Sequence, residues 1–194
     1  MRVVGGRYRG TRLATPRSSA IRPTSDRVRE AVFNILEHGI PGFEIEGARV
    51  LDLFAGTGAL GIEALSRGAR FCQFIDNSAE ARGLIRRNIE ALSLTGIGKI
   101  WRRSATDLGP AGNVTPFDLV FLDPPYGKDL GPAALRSLHE GGWLAPGGIA
   151  VWEEAADASA EIPQGFREVD RRRYGDTQVI FLEHEPPAAE PHLA

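Results

Sequence analysis

Two short stretches of the sequence place an acidic side chain beside residues that sharpen or stiffen the backbone. The first runs from Asp52 to Gly58, and the second covers residues 123–126, Asp-Pro-Pro-Tyr. Glycines lack a Cβ, so they permit a sharp turn and let a ligand lie against bare backbone. Two prolines fix φ and remove two N–H donors. We therefore predict a ligand-binding turn at the first stretch and a stiff, carbonyl-rich turn at the second.

The glycine stretch predicts a site for a nucleoside-type cofactor, because the amides of a helix that starts after the turn would point at the ligand. Gly56-x-Gly58-x-x-Gly61 also fits the dinucleotide fingerprint, with Asp76 twenty residues after Gly56 in the ribose-binding position. Asp52 favours S-adenosylmethionine, because a buried carboxylate needs a partner and the ammonium group of this cofactor would be one. Alternatively, Asp52 only holds the turn by bonding backbone amides.

Two further acids suit particular roles at such a site. Asp76 is predicted to accept hydrogen bonds from both ribose hydroxyls of the cofactor, or alternatively to cap a helix. Asp123 and the carbonyl of Pro124 could accept the two N–H bonds of an exocyclic base amine, whose lone pair would then turn from the ring toward a methyl group. Tyr126 would stack on the extruded base. The alternative is a purely structural role, in which the prolines only stiffen a loop.

The N-terminal segment is basic although the whole chain has a net charge of −2. Residues 1–25 contain six arginines and no acid, and they hold two short β-like pieces that predict a hairpin. Guanidinium groups there could contact phosphates, and a tyrosine ring could stack on a base. The residues predicted to contact RNA are Arg7, Tyr8, Arg9, Arg12 and Arg22. A solvated terminus is the alternative, and in either case we expect the segment to be dispensable for folding.

The elements that must position these side chains alternate between strand and helix. A helix over residues 26–38 precedes strands over 49–54, 71–75, 99–103, 117–122 and 149–153, with helices over 59–67, after Ser78 and over 132–140. Repeated β-α-β units imply a parallel sheet with helices on both faces. Ligands in such sheets bind beyond the carboxyl ends of the strands, where Asp52, Asp76 and Asp123 all lie.

The end of the chain departs from this alternation. Residues 167–174 and 177–183 flank Gly175-Asp176, a strong signal for a two-residue hairpin, so the sheet is predicted to finish antiparallel. Residues 184–194 are rich in Pro, Ala and Glu and are predicted to be disordered.

Length and composition predict one soluble globular domain. The chain has 194 residues, 42% of them hydrophobic and 25% charged, and no apolar run approaches the length of a membrane helix. No signal peptide is visible, so a cytoplasmic protein is expected. The single cysteine, Cys72, excludes an internal disulfide and argues against a cysteine-based metal site.

Several stretches resemble the RsmD family of class I methyltransferases: RPTSDRVREAVFNIL at 22–36, FAGTGALGIEALSRGA at 54–69, FLDPPY at 121–126 and YGDT at 174–177. The opening hairpin also resembles that of the family, so the likeness covers nearly the whole chain. It implies a Rossmann-like α/β fold with a seven-stranded, mostly parallel sheet, helices on both faces and an antiparallel C-terminal hairpin. It also implies methyl transfer from S-adenosyl-L-methionine to the N2 amine of a guanine in bacterial 16S ribosomal RNA.

The resemblance also implies which residues would form the site. Ser104 and Ala105 occupy the region of the adenine contact, although the family usually has an acid there and Asp107 lies three residues on. The catalytic residues would be Asp123, Pro124 and Tyr126, without a metal. The cofactor-binding residues would be Asp52, Phe54, Ala55, Gly56, Gly58, Asp76, Asn77, Ser104 and Ala105.

These predictions define three segments and leave other functions open. Residues 1–45 would form an RNA-contacting hairpin and helix, 46–183 the methyltransferase domain and 184–194 a tail. The protein would act as a monomer on 16S ribosomal RNA or on the assembling small subunit. The alternatives are methylation of another base amine such as adenine N6, an NAD-dependent oxidoreductase and a non-catalytic RNA-binding protein. The last two leave the Asp123 turn unexplained.

Overall fold

The computed structural model describes residues 1–19, 21 and 24–186, which form one seven-stranded sheet flanked by helices. The strands are β1 (Arg49–Leu53), β2 (Phe71–Ile75), β3 (Gly98–Trp101), β4 (Phe117–Leu122), β5 (Leu144–Ala155), β6 (Phe166–Tyr174) and β7 (Thr177–His184). The helices are α1 (Asp26–His38), α2 (Ala59–Ser66), α3 (Ala79–Ala91) and α4 (Leu130–Gly141). None of these described helices is both long and apolar enough to cross a bilayer.

The strand order is β3-β2-β1-β4-β5-β7-β6, and this confirms the predicted fold class. The first five strands in this order pair in parallel, whereas β7 runs antiparallel to both β5 and β6. The carboxyl ends of β1, β2, β3 and β4 therefore lie along one edge of the sheet.

Side chains along the central strands point alternately to the two faces of the sheet, so each face has its own apolar core. In β1, Val50 belongs to the apolar cluster that includes α1 and α2, while Leu51 and Leu53 belong to the cluster that includes α4. Central parallel strands are covered on both faces, which explains why β1 reads as a nearly continuous apolar run. Asp52 interrupts that run on the face of Val50, so its side chain points toward α2.

Some boundaries differ from those predicted because strand pairing, rather than local sequence, decides them. The sequence predicts β5 over 149–153, but the strand spans Leu144–Ala155, since β7 continues to pair with it as far as the Ala155–Thr177 pair. Its early part passes through a register shift opposite β4, where Gly147 has a φ of 75°. The tail predicted from residue 184 is also wrong at its start, because His184 pairs with Phe166 and is buried. Residues 187–194 lie outside the described residues.

The N-terminal hairpin packs against the rest of the domain. A single bridge joins Arg2 to Arg12, and Val3 and Leu13 are 2% and 6% exposed in the same apolar cluster as β1. This burial contradicts the prediction that the segment is dispensable for folding. Its apolar residues are too few and too widely spaced to produce a periodic signal in the sequence.

A buried carboxylate in α2 holds this hairpin in place. Glu63 is fully buried, and its Oε1 accepts hydrogen bonds from the Val4 amide at 2.8 Å and from Arg29 Nε at 3.3 Å. Its Oε2 accepts from the Gly5 amide at 2.9 Å and from Arg67 Nε at 3.0 Å. The hairpin, α1 and α2 therefore meet at one charge that is paired on both oxygens, as a buried charge requires.

Candidate active site

The turn after β1 has left-handed backbone at three positions. Phe54, Gly56 and Gly58 have φ values of 54°, 59° and 79°, and α2 begins directly afterwards. Glycine adopts this conformation readily, whereas it strains phenylalanine. Phe54 is held there because its ring packs against the apolar cluster on the α4 face, and Ala55 is buried with its amide bonded to the Ile75 carbonyl.

The third glycine of the motif serves helix packing. A Cβ on Gly61 would lie 2.5 Å from Phe74 Cε1 and 2.6 Å from Cys72 Sγ. Only a glycine therefore lets α2 approach β2 this closely, which is the packing role of the last glycine in nucleotide-binding turns.

The Asp52 carboxylate stabilises the first turn of α2. Its side chain is 1% exposed, and Oδ2 accepts a hydrogen bond from the Gly61 amide at 3.0 Å. Burial raises the pKa of Asp52 well above its usual range; the Gly61 hydrogen bond opposes this shift and the charge of Asp76 adds to it. The geometry thus favours the alternative in which Asp52 holds the turn over a direct contact with a cofactor ammonium.

Asp76 joins the glycine turn to the beginning of α3. Its Oδ2 accepts from the Gly56 amide at 3.0 Å, and its Oδ1 accepts from the Ser78 amide at 2.9 Å. The N-cap of α3 is Ser78, so the capping alternative for Asp76 does not hold. Asp76 is half-buried and Asn77 is exposed, which leaves both side chains within reach of a ligand at this edge.

The residues after β3 are split between surface and core. Ser104 is exposed and its hydroxyl lies 2.9 Å from that of Thr106, whereas Ala105 is buried in the cluster that includes α4. Asp107 is exposed, and its amide donates to the Ser104 carbonyl at 3.2 Å. The side chain available to a cofactor at this point is therefore a serine hydroxyl instead of the family's usual acid.

The Asp123 turn lies at the end of β4, inside a network of hydroxyl and carboxylate groups. Thr24 Oγ1 is 3.0 Å from Asp123 Oδ2 and 3.1 Å from Glu153 Oε2. The Tyr126 hydroxyl is 2.9 Å from Thr177 Oγ1 and 3.5 Å from Glu153 Oε1. The turn is thereby tied to the segment before α1, to β5 and to β7.

Sequence reasoning missed three members of this network. Thr24 precedes α1, whose N-cap is Ser25, and Thr177 is part of the Tyr-Gly-Asp-Thr stretch; nothing local in the sequence indicates the contacts of either hydroxyl at the Asp123 turn. Glu153 could have been found by the rule that identified Asp123, because it is an acid near the carboxyl end of the neighbouring parallel strand. Pro124 is buried, which adds to the stiffness of the turn.

The structure separates the predicted RNA contacts from the other candidate residues. The amides of Arg7 and Tyr8 donate to the Ser66 carbonyl and hydroxyl at 2.8 and 2.9 Å. Ser66 ends α2, whereas the glycine turn begins it, so the two lie roughly 12 Å apart by helical rise. The arginines at 7, 9 and 12 are exposed, while the Tyr8 ring is half-buried beneath the Arg7 guanidinium. Arg22 lies outside the described residues.

Residues on either side of Arg22 lie close to both the glycine turn and the Asp123 turn. A Cβ on Gly56 would lie 3.3 Å from Ile21 Cγ2, and Thr24 bonds Asp123. Among the described residues, no three histidine, cysteine, aspartate or glutamate side chains cluster to hold a metal ion.

The fold and site together define a class I methyltransferase. Its marks are the parallel sheet with an antiparallel end, the glycine turn after β1 and the acids that follow β2 and β4. Residues 1–183 match the family model described as Conserved hypothetical protein 95. The chain belongs to this family, the RsmD family of methyltransferases.

Named relatives and solved structures agree with this membership. The chain is 37% identical over 145 residues to Ribosomal RNA small subunit methyltransferase D of Escherichia coli K12, covering 75% of this chain and 70% of the relative. It is 34% identical over 168 residues to the protein of the same name from Haemophilus influenzae, covering 86% and 84%. The solved structure of yhhF from E. coli superimposes with a TM-score of 0.81 at 30% identity, covering 95% and 98%.

A more distant structure shares the fold. An RNA methyltransferase from Salinibacter ruber, solved in complex with S-adenosyl-L-homocysteine, superimposes with a TM-score of 0.63 at 16% identity. The likeness covers 89% of this chain and 99% of that one.

Proposed function

We propose that this protein transfers a methyl group from S-adenosyl-L-methionine to the exocyclic N2 amine of a guanine in bacterial 16S ribosomal RNA. Family membership makes it a methyltransferase, and the curated relatives named above are methyltransferases of small-subunit ribosomal RNA. The observation that carries the proposal is the Asp123 turn, a stiff carboxylate-bearing turn at the same sheet edge as the glycine turn.

The residues that follow β1, β2 and β3 fit an adenosyl cofactor. Gly56 and Gly58 add no side chains of their own to the turn, and the half-buried Asp76 offers a carboxylate that a ribose diol could meet. The exposed Ser104 follows at the end of the next strand. When bound, the cofactor supplies an electrophilic methyl group. The contribution of the protein is to hold that cofactor and to position the attacking amine.

The Asp123 turn suits the orientation of a base amine. Such an amine is a poor nucleophile because its lone pair is delocalised into the ring. If Asp123 and the Pro124 carbonyl accept its two N–H bonds, the nitrogen shifts toward sp³ geometry and its lone pair becomes available. Tyr126, fixed through its hydroxyl by Thr177, is the ring on which an extruded base would stack.

The hydroxyl of Thr24 positions this carboxylate. It has one proton and so can donate to Asp123 or to Glu153, but not to both at once. After the new N–C bond forms, the amine must release one proton. Two adjacent carboxylates bridged by a hydroxyl provide acceptors for it without a metal.

Base identification in ribosomal RNA tests this proposal. Small ribosomal subunits and protein-free RNA from a bacterium that lacks the protein would be incubated with the pure enzyme and isotopically labelled S-adenosylmethionine. We expect label in N2-methylguanosine at one position of the RNA after nuclease digestion and mass spectrometry. Label in N6-methyladenosine would instead support the adenine alternative, and no incorporation into either substrate would contradict the proposal.

A further inference from the structure

We propose that a cleft beside the Asp123 turn binds a backbone phosphate of the RNA segment that carries the target base, an inference that rests on the proposed function. The cleft has a volume of about 340 Å³. Arg27 and Val28 from the first turn of α1 form one wall, and Arg173, Tyr174 and Gly175 from the β6–β7 hairpin form the other. This assigns a role to Tyr174 and Gly175 of the Tyr-Gly-Asp-Thr stretch, of which the catalytic scheme uses only Thr177.

Both walls lead directly to the candidate active site. Thr24, whose hydroxyl bonds Asp123, lies three residues before Arg27. Thr177, whose hydroxyl meets that of Tyr126, lies three residues after Tyr174. A strand of RNA that delivers a base to the Asp123 turn would therefore have its adjacent backbone within reach of this cleft.

The cleft carries positive charge that the described part of the chain does not neutralise. Arg27 and Arg173 are exposed on opposite walls, and neither forms an ion pair with a described residue. Arg173 uses only its Nε, which donates to the Gly175 carbonyl at 3.2 Å. Asp26, the acid beside Arg27 in sequence, is already bonded to the Arg29 guanidinium.

Other arginines of the same strand are different, because each is bonded to a carboxylate. Arg171 pairs with Glu168, and Arg172 pairs with Asp170 at 3.1 Å. Arg167, at the far end of β6, pairs with two glutamates of the β7 region. Three arginines of β6 are thus paired with carboxylates, whereas Arg173, which lines the cleft, has no such partner among the described residues.

The chemistry of the cleft favours a phosphate group. A guanidinium presents a planar fork of donors that matches phosphate oxygens, and two forks that face each other can hold one phosphodiester. The half-buried Val28 and Tyr174 add a small apolar surface suited to a sugar. Phosphate contacts fix the position of a nucleic acid without reading its sequence, and a base that is extruded for chemistry needs its flanking backbone held.

The test compares two double variants that remove the same charge. R27A/R173A empties the cleft of cations, whereas R167A/R172A removes paired arginines of the same strand. Affinity for protein-free, unmethylated small-subunit ribosomal RNA would be measured over a range of salt concentrations. For every phosphate that the protein no longer neutralises, the slope of log affinity against log salt falls by roughly 0.7 to 0.9. We expect such a drop for R27A/R173A and a slope within a few tenths of wild type for the control pair.

Three other outcomes would contradict the proposal that this cleft binds an RNA phosphate. An unchanged slope in R27A/R173A means that no phosphate is bound there, and an equal drop in both double variants means that the effect reflects overall charge. Thermal melting and S-adenosylmethionine affinity would be measured on the same samples to show that folding and the cofactor site are intact. Competition by millimolar inorganic phosphate alone, without a change in RNA affinity between variants, would reassign the cleft to a free anion.

Methylation assays keep this inference separate from the proposed function. If the wild-type protein forms N2-methylguanosine but R27A/R173A keeps its salt slope, only the cleft is wrong. If the wild-type protein forms no methylated guanine yet R27A/R173A shows the reduced slope, the cleft stands as an RNA site and the reaction assignment fails.

Discussion

Asp52, Asp76 and Asp123 end neighbouring strands, yet their surroundings give them different chemistry. Asp52 is buried and its carboxylate accepts a hydrogen bond from the Gly61 amide, which suits a structural role. Asp76 is half-buried and can exchange a backbone partner for a ligand. Asp123 is half-buried, and its Oδ2 lies 3.0 Å from the hydroxyl of Thr24. Accessibility, rather than the acidic side chain itself, therefore distinguishes a ligand contact from a structural support.

Replacement of Asp76 tests the cofactor assignment at the residue scale. Asp76→Ala removes a charged acceptor, and hydrogen bonds to charged groups contribute about 1.5–3 kcal/mol. We expect S-adenosylmethionine and its demethylated product to bind roughly 10- to 150-fold more weakly by calorimetry. Asp107→Ala removes an exposed acid near the same edge and should change affinity less than twofold. Wild-type affinity in Asp76→Ala would remove Asp76 from the cofactor site.

At the scale of elements, Glu63 connects the N-terminal hairpin to α1 and to α2, the helix that follows the glycine turn. Both of its oxygens are used, by two backbone amides of the hairpin and by the guanidinium groups of Arg29 and Arg67. Arg29 is itself fully buried and pairs with both Glu63 and Asp26, so Glu63 supplies one of the two carboxylates that neutralise its charge. The hairpin thus contributes to stability as well as carrying exposed arginines.

The variant Glu63→Ala should unfold much more easily than the wild type. The substitution leaves the Val4 and Gly5 amides without this acceptor, and it leaves the Arg29 and Arg67 guanidinium groups with one carboxylate each. Removal of one partner from a buried ion pair costs about 3–5 kcal/mol. Glu37→Ala is the matched control, because Glu37 bonds the same Arg67 from a partly exposed position and should cost at most about 1 kcal/mol. Chemical denaturation would measure both. Equal stability of the two variants would contradict the structural role of the hairpin.

Elements could be predicted from sequence where their signal is local. Helix α1 has apolar residues at helical spacing and a serine cap, and its predicted bounds agree with the structure. The contacts that complete the site are not local: Thr24 and Asp123 are 99 residues apart, and Glu63 and Val4 are 59 apart. Periodicity contains no information on such pairs. The positions of Asp76 and Asp123 were nonetheless predictable, because parallel strands end at a common edge.

At the scale of the whole molecule, a histidine pair joins α4 to the last strands of the sheet. His139 Nδ1 lies 3.0 Å from His184 Nε2, and His184 Nδ1 lies 3.2 Å from the Ala145 carbonyl. Both rings contact Phe166. The Ala145 carbonyl can only accept, so His184 donates from Nδ1, and a neutral His184 then accepts from His139 at Nε2. Burial lowers the pKa of His184, and the proximity of His139 adds to this effect.

This pair makes stability depend on pH below neutrality. Because the pKa of His184 is lower in the folded state than its ordinary 6.5, the unfolded chain binds the proton first. The free energy of unfolding should therefore fall as pH drops below about 6.5, by up to about 1.4 kcal/mol per pH unit for one proton. His184→Gln should flatten this dependence in urea titrations between pH 7 and 5. His38→Gln, which alters an exposed histidine, should leave it unchanged, and identical slopes in all three proteins would contradict the assignment.

The central claim is that Asp123 orients the base amine, and single-turnover methyl transfer to saturating unmethylated small ribosomal subunits tests it most directly. Loss of one oriented acceptor at a reacting centre costs on the order of 10²–10³ in rate. Asp123→Ala should slow the transfer by this factor while its affinity for S-adenosylmethionine stays within a few-fold of wild type. Asp107→Ala should react at the wild-type rate. Transfer by Asp123→Ala at the wild-type rate would contradict the account.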